Sequence, residues 1–192
     1  MRECSINRVT KETYIDLALN LDGKGKFNGS TGIGFFDHML SAFSVHSGFD
    51  LDLKMTGDLQ VDCHHSVEDV GIVLGQAFAK ILEDKSAIAR FGSFYVPMDE
   101  SLAFCALDIS GRSFLAFDCT FTNPSVGEFD CCMTKEFFQA FAYNAGITLH
   151  IKLLAGDNDH HKIEGIFKAV AHALKIAVAP NDGGILSSKG VL

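Results

Sequence analysis

Alternating and helically spaced apolar positions follow one another in a regular order along this chain. Residues 14–21 alternate apolar with polar or small side chains and run into Asp22-Gly23, which predicts a strand closed by a turn. Residues 35–45 carry apolar side chains at helical spacing and stop near Gly48, a helix with a glycine end. Strict alternation over 49–55 predicts a half-exposed strand. Residues 64–82 read as a helix, with Val67, Val70, Leu74, Phe78 and Ile81 at spacings of three and four. The same order then returns, with strands over 102–109 and 114–119, a helix from Thr134, a strand over 147–153 and a helix over 160–178.

The pattern returns because the sequence does. His64-His65-Ser66-Val67-Glu68 reappears as His160-His161-Lys162-Ile163-Glu164, 96 positions later, and the same shift pairs Ala77 with Ala173. A shift of 98 pairs Ala42-Phe43 with Ala140-Phe141, Gly48 with Gly146 and Leu51 with Leu149. A shift of 88 pairs Ala18-Leu19 with Ala106-Leu107 and Gly23 with Gly111. Changing shifts mark loops of unequal length between equivalent halves. A half of this size makes a marginal core by itself. The expectation is one domain over 1–192, with repeat 1 at about 1–92 and repeat 2 at about 93–192. Its class is α+β, rich in antiparallel strands, with four helices packed between two sheets.

Composition narrows the function. Hydrophobic residues make up 47% of the 192, and there are only 3 Pro, so the chain folds around a core rather than staying disordered. No apolar run approaches the ~18 residues of a membrane span. A formal net charge of −8 disfavours nucleic acid but leaves room for a small anion held by local cations. No apolar stretch follows Met1, so no secretory signal is expected. The six cysteines form no CxxC pair and read as reduced, mostly buried thiols of a cytoplasmic protein.

The repeated His-His-x-x-Glu carries the chemistry. Four residues apart on a helix, His64 and Glu68 share a face. His65 is turned about 100° from His64, so adjacent imidazoles serve different ions more easily than one. Two copies supply four His and two Glu, the inventory of two His/carboxylate metal sites. The 98-residue shift also pairs His38 with Glu136, at the starts of equivalent helices. Pseudo-twofold symmetry predicts one cluster of His64, Glu68 and His161, and another of His160, Glu164 and His65. His38 joins one cluster and Glu136 the other, within one chain or across subunits. A single copy would read as a solvated helix start with a capping Glu. Two copies at equivalent places outweigh that reading. The donors are not those of HExxH, and imidazole with carboxylate suits Mn, Fe, Co or Zn.

These motifs also carry a resemblance. Arg8-Val9-Thr10-Lys11-Glu12-Thr13, Asp37-His38-Met39-Leu40, the two His-His segments with Phe167-Lys168-Ala169, and the C-terminal Ser187-Ser188-Lys189-Gly190-Val191-Leu192 together resemble imidazoleglycerol-phosphate dehydratase, in its monofunctional form. The resemblance implies four helices between two four-stranded mixed sheets. It implies two Mn²⁺ per active site, and a homo-oligomer of 24 subunits with sites where subunits meet. Its metal residues carry over to His38, His64, His65, Glu68, His160, His161 and Glu164. At position 136 some members have His, and Glu136 here remains a candidate ligand. Glu12 is implied as the proton-transfer base, with His65, Glu68, His161 and Glu164 in the catalytic set. Arg90, Arg112, Lys168, Ser187, Ser188 and Lys189 are implied for the substrate's phosphate end, and Met39 beside His38 for substrate contact.

The implied reaction removes a hydroxyl and a C–H proton that no carbonyl acidifies. An imidazole between cations can lose its N–H, and the electron-rich ring can then expel the hydroxyl. Loss of the side-chain proton gives an enol, which becomes the ketone. Gly183-Gly184 suggests a mobile C-terminal segment able to close over substrate. His46, His150 and His172 read as structural or exposed. The same ligands would also suit a two-metal phosphate-ester hydrolase or a non-catalytic metal store. Release of inorganic phosphate marks the first, and metal uptake indifferent to a phosphorylated imidazole marks the second.

Overall fold

The structure is a computed structural model that describes residues 2–190. Met1, and the Val191 and Leu192 of the C-terminal motif, lie outside the described residues. The first half runs β1 (Glu3–Val9), β2 (Thr13–Asn20), β3 (Phe27–Ser30), α1 (Gly34–Ser47), β4 (Asp50–Gly57) and α2 (His64–Ile81). The second runs β5 (Phe91–Met98), β6 (Ser101–Asp108), β7 (Phe114–Asp118), a small hairpin of β8 (Ser125–Val126) and β9 (Phe129–Asp130), then α3 (Met133–Ala145), β10 (Thr148–Ala155) and α4 (Asp159–Ala177). Each half forms a four-stranded mixed sheet, in the orders β1-β2-β4-β3 and β5-β6-β10-β7. In each, one strand pairs in parallel across an intervening helix: β3 with β4 around α1, and β7 with β10 around α3. Equivalent residues face each other, Leu17 with Leu53 and Cys105 with Ile151.

Local chemistry explains the elements. β2 and β6 bury alternate residues, and β4 and β10 bury theirs in matching register. Helices α1 and α3 end on Gly48 and Gly146, both left-handed, whose N–H groups reach back to Ser44 and Ala142 carbonyls. The change of shift from 88 to 98 falls where the β8–β9 hairpin is inserted.

The periodicity reading omitted β1, β3, β5 and the hairpin. β1 buries no residue outright, and β5 contains Pro97; both are edge strands, where alternation against a core is weak. β3 is a four-residue segment interrupted by Gly29.

The helices join the halves. α2 lies against β1, β2 and β4, and α4 against β5, β6 and β10, while α2 packs along α3 and α1 along α4. On α2, a Cβ at Gly71 or Gly75 would stand 2.6 Å from the carbonyl oxygens of Phe137 and Phe141, so the α2–α3 approach requires glycine there. Rings from three helices meet in the middle: Phe36 and Phe137 with centroids 5.4 Å apart, Phe137 and Phe167 5.2 Å apart. One hydrophobic cluster therefore spans both halves. All six thiols are free; Cys63, Cys105 and Cys131 are buried, Cys4 and Cys119 half-buried and Cys132 exposed. Among the described residues, no helix is long and apolar enough to cross a membrane.

Candidate metal centre

Both His-His turns lie at a helix start, and in each a side chain two residues ahead caps the N–H of the first His. The Asp62 side chain accepts the His64 N–H at 2.7 Å, and the Asn158 side chain accepts the His160 N–H at 2.9 Å. These caps, 96 residues apart, fix the direction in which each turn presents its imidazoles.

The α1–α4 contact completes one donor cluster. Nε2 of His38 lies 3.3 Å from Oε2 of Glu164, and Nε2 of His160 lies 3.2 Å from the same oxygen. All three donor atoms fall within 4.8 Å of one another. Ligands ~2.1 Å from an ion sit roughly 3 to 3.5 Å apart, so this spacing fits a first coordination shell with no sulfur. Phe35 closes one side, its ring 4.9 Å from His160 and 5.6 Å from Phe129 of the inserted hairpin.

Glu164 is 7% exposed, and burial alone would raise its carboxyl pKa. The Lys168 ammonium, 2.7 Å from Oε1, and His38 together outweigh burial and hold the carboxyl below its ordinary value. Lys168 is thus tied to a proposed ligand rather than to the cleft at the C-terminal segment.

The remaining ligands are not gathered by one chain. Nε2 of His64 stands 3.7 Å from Oε2 of Glu68, one turn along α2. Glu136 sits half-buried in the first turn of α3, the helix packed along α2. His65 joins neither His160 nor Glu164. Its Nδ1–H donates to Asp58 Oδ2 at 2.9 Å, and its Nε2 lies 3.9 Å from Glu12 Oε1. His161 likewise stands apart from His64 and Glu68. Its Nδ1–H donates to Glu100 Oε2 at 2.9 Å, and Asp99 is 3.9 Å from its Nε2. Neither four-residue cluster anticipated from the repeat closes within a single chain.

Both paired imidazoles have raised pKa values, His65 through the Asp58 hydrogen bond and His161 through that of Glu100. Glu100 falls to about 2, through His161 and the N–H groups of Asn158 and Asp157. Glu12 rides the β1–β2 turn, which Thr10 Oγ1 shapes by accepting the N–H groups of Glu12 and Thr13.

A second cleft holds the cations. Arg90, Arg112, Ser187, Ser188 and Lys189 line it together with Phe91, Ile185 and Leu186. Arg90 is buried with a left-handed φ of 71°. Asp108 grips it through Nε at 2.6 Å and Nη2 at 3.0 Å, and reaches Arg112 Nη2 at 3.3 Å. A further Arg90 donor meets the Leu186 carbonyl of the C-terminal segment.

Met39 is fully buried in the core, so its side chain is closed to a ligand. His150 is exposed, whereas His46 and His172 hydrogen-bond each other at 3.0 Å between α1 and α4. Sequence reasoning missed Asp58, Asp99, Glu100 and Asp108. For Glu100 a signal existed, since the 88-residue shift pairs it with Glu12.

Fold and site together define an enzyme scaffold: a duplicated α+β chain whose two equivalent helix starts each present paired imidazoles and a carboxylate. The sequence model of imidazoleglycerol-phosphate dehydratase matches residues 31–174. The chain belongs to the imidazoleglycerol-phosphate dehydratase family, and is a lyase. The protein of that name from Listeria welshimeri is 54% identical, with 100% of both chains covered. That from Clostridium novyi is 52% identical over 100% of this chain and 98% of its own. The solved structure of imidazoleglycerol-phosphate dehydratase from Staphylococcus aureus matches with a TM-score of 0.85 at 40% identity, covering 93% of this chain and 99% of that one. IGPD from Pyrococcus furiosus, solved in complex with (S)-C348, matches with a TM-score of 0.85 at 35% identity, covering 97% and 100%.

Proposed function

We propose that this chain converts imidazole glycerol phosphate to imidazole acetol phosphate in histidine biosynthesis, using two Mn²⁺ per active site. In this reading it works in the cytoplasm as a homo-oligomer of 24 subunits, with sites completed where subunits meet. The observation that carries the reading is the convergence of His38, His160 and Glu164 from two halves of the chain, in a member of this family. Three donors of imidazole and carboxylate type at coordination spacing, with no thiolate among them, suit a divalent transition cation, Mn²⁺ among them. The second set is the pseudosymmetric counterpart, His64 and Glu68 on α2 with Glu136 of the adjoining α3 as its third donor in this reading. Adjacent His65 and His161, each turned away from its own chain's cluster, are the natural donors to a neighbouring subunit's set.

Bound divalent cations lower the pKa of an imidazole they hold and polarise a departing hydroxyl. The chain's own residues supply the rest. Glu12 sits on an exposed turn against His65, and its Oε1 takes the unactivated C–H proton. Loss of that proton and of the hydroxyl leaves the enol, which tautomerises to the ketone. Arg90, Arg112, Lys189 and the Ser187 and Ser188 hydroxyls hold the phosphate, with Asp108 orienting both guanidiniums. Lys168 holds the Glu164 carboxylate in its charged, ligating form.

Incubation with imidazole glycerol phosphate and Mn²⁺ tests the reading. The enol or ketone product should accumulate by absorbance, and a chelator should stop it. Inorganic phosphate released without ketone would instead establish a phosphate-ester hydrolase.

A further inference from the structure

Each His-His turn has one imidazole, His65 or His161, whose ring is fixed by a carboxylate on its Nδ1 side. A carboxylate oxygen only accepts, so each Nδ1 carries the proton, and in the neutral ring, the form that ligates a metal, the lone pair is on Nε2. The two bonds have the same length, 2.9 Å, but come from different places in the repeat. Asp58 follows β4, whereas Glu100 lies in the β5–β6 turn. The repeat equivalent of Glu100 is Glu12, and Glu12 is found on the opposite, Nε2 side of its histidine. The same hydrogen bond has thus been supplied twice from non-equivalent positions, which a chance inheritance of the duplication does not produce.

The surroundings of the two carboxylates point the same way. Glu100 is anchored through Oε1 by the N–H groups of Asn158 at 2.9 Å and Asp157 at 3.3 Å, just ahead of α4, leaving Oε2 for His161. Asp58 has no such anchors. Its Oδ1 is buried without a hydrogen-bond partner among the described residues, a costly state for a carboxylate oxygen. The bond to His65 is what this side chain makes in return.

We propose that Asp58 and Glu100 are positioning residues, which lock His65 and His161 in the Nδ1–H tautomer and aim each Nε2 at a divalent cation. The arrangement also divides labour between equivalent residues. With Asp58 on the Nδ1 side of His65, Glu12 is free to face substrate, while Glu100 is spent on His161. The proposal rests on the metal reading above.

The test is Mn²⁺ titration of the full-length assembled protein by calorimetry, with Asp58→Asn and Glu100→Gln as separate variants. An amide can turn its NH₂ to Nδ1, which moves the ring proton to Nε2 and removes the lone pair. Each variant should lose about 10- to 100-fold in affinity for Mn²⁺. The electron spin echo of bound Mn²⁺ should show fewer ¹⁴N couplings, while the melting temperature of the metal-free protein stays near wild type. Asp58→Glu and Glu100→Asp, which keep a carboxylate, should recover part of the affinity, and they replace any amide variant that does not fold. Unaltered affinity and ¹⁴N couplings in the folded amide variants would overturn the positioning role alone. Wild-type protein that takes up no Mn²⁺ would overturn it together with the metal reading.

Discussion

His38 of α1 and Glu164 of α4 stand 3.3 Å apart, Nε2 to Oε2, so a residue of the first half completes a donor cluster built on the second. Removing His38 therefore strips a ligand from the Glu164 set and leaves His64 and Glu68 intact. His38→Ala should weaken one class of Mn²⁺ sites by at least about tenfold and leave the other within about twofold. Calorimetric titration resolves the two classes. Equal weakening of both would contradict separate clusters.

Glu12 is half-exposed on a turn and contributes nothing to the core. Glu12→Gln should lower kcat by about 10² to 10⁴, the usual contribution of a general base. Bound metal and melting temperature should hold at wild-type values. Full turnover in this variant removes Glu12 from the mechanism.

Asp108 holds both cleft arginines, through two bonds to Arg90 and one to Arg112. Its neutral analogue keeps the shape but loosens the fork. Asp108→Asn should raise KM by roughly tenfold with a smaller change in kcat, because phosphate contacts bind ground state and transition state alike. Steady-state kinetics with and without competing inorganic phosphate measures this. A pure kcat defect would place Asp108 elsewhere in the mechanism.

Asp159 opens α4 and is buried with Lys162, whose ammonium is 2.9 Å away. Burial pushes its carboxyl up, but the N–H groups of Asn123 and Thr122 and the Lys162 ammonium bring it to about 2. A carboxyl depressed below its unfolded value stabilises the fold above about pH 4, and that contribution is lost as pH falls toward about 2. Its size is about 2 kcal/mol. Asp159→Asn should melt lower than wild type at neutral pH, with the gap closing between about pH 4 and pH 2. A gap independent of pH would assign the loss to packing rather than to charge.

Much of this was legible in the chain because duplication writes each signal twice. The strands β2, β4, β6 and β10 alternate against a core, and the α1 and α3 ends carry Gly48 and Gly146 at matching places. Edge strands β1 and β5 were silent because their inward faces are thin: β1 only half-buries its inward residues, and β5 buries only Gly92 and Val96. The hairpin that sets Phe129 against Phe35 is an insertion, seen in the sequence only as a change of shift. Asp58 and Glu100 were invisible for another reason. Their partners lie seven and 61 residues away, and only tertiary folding brings them to an imidazole. His38 and Glu164 were each visible, but which cluster His38 joins depended on α1 packing along α4 rather than α2.

Anomalous scattering from a crystal grown with Mn²⁺ tests the central claim most directly. A manganese peak is expected about 2.2 Å from Nε2 of His38, Nε2 of His160 and the Glu164 carboxylate together. A second peak is expected beside His64 and Glu68. Crystals in which these side chains point into solvent, with no manganese between them, would contradict the account.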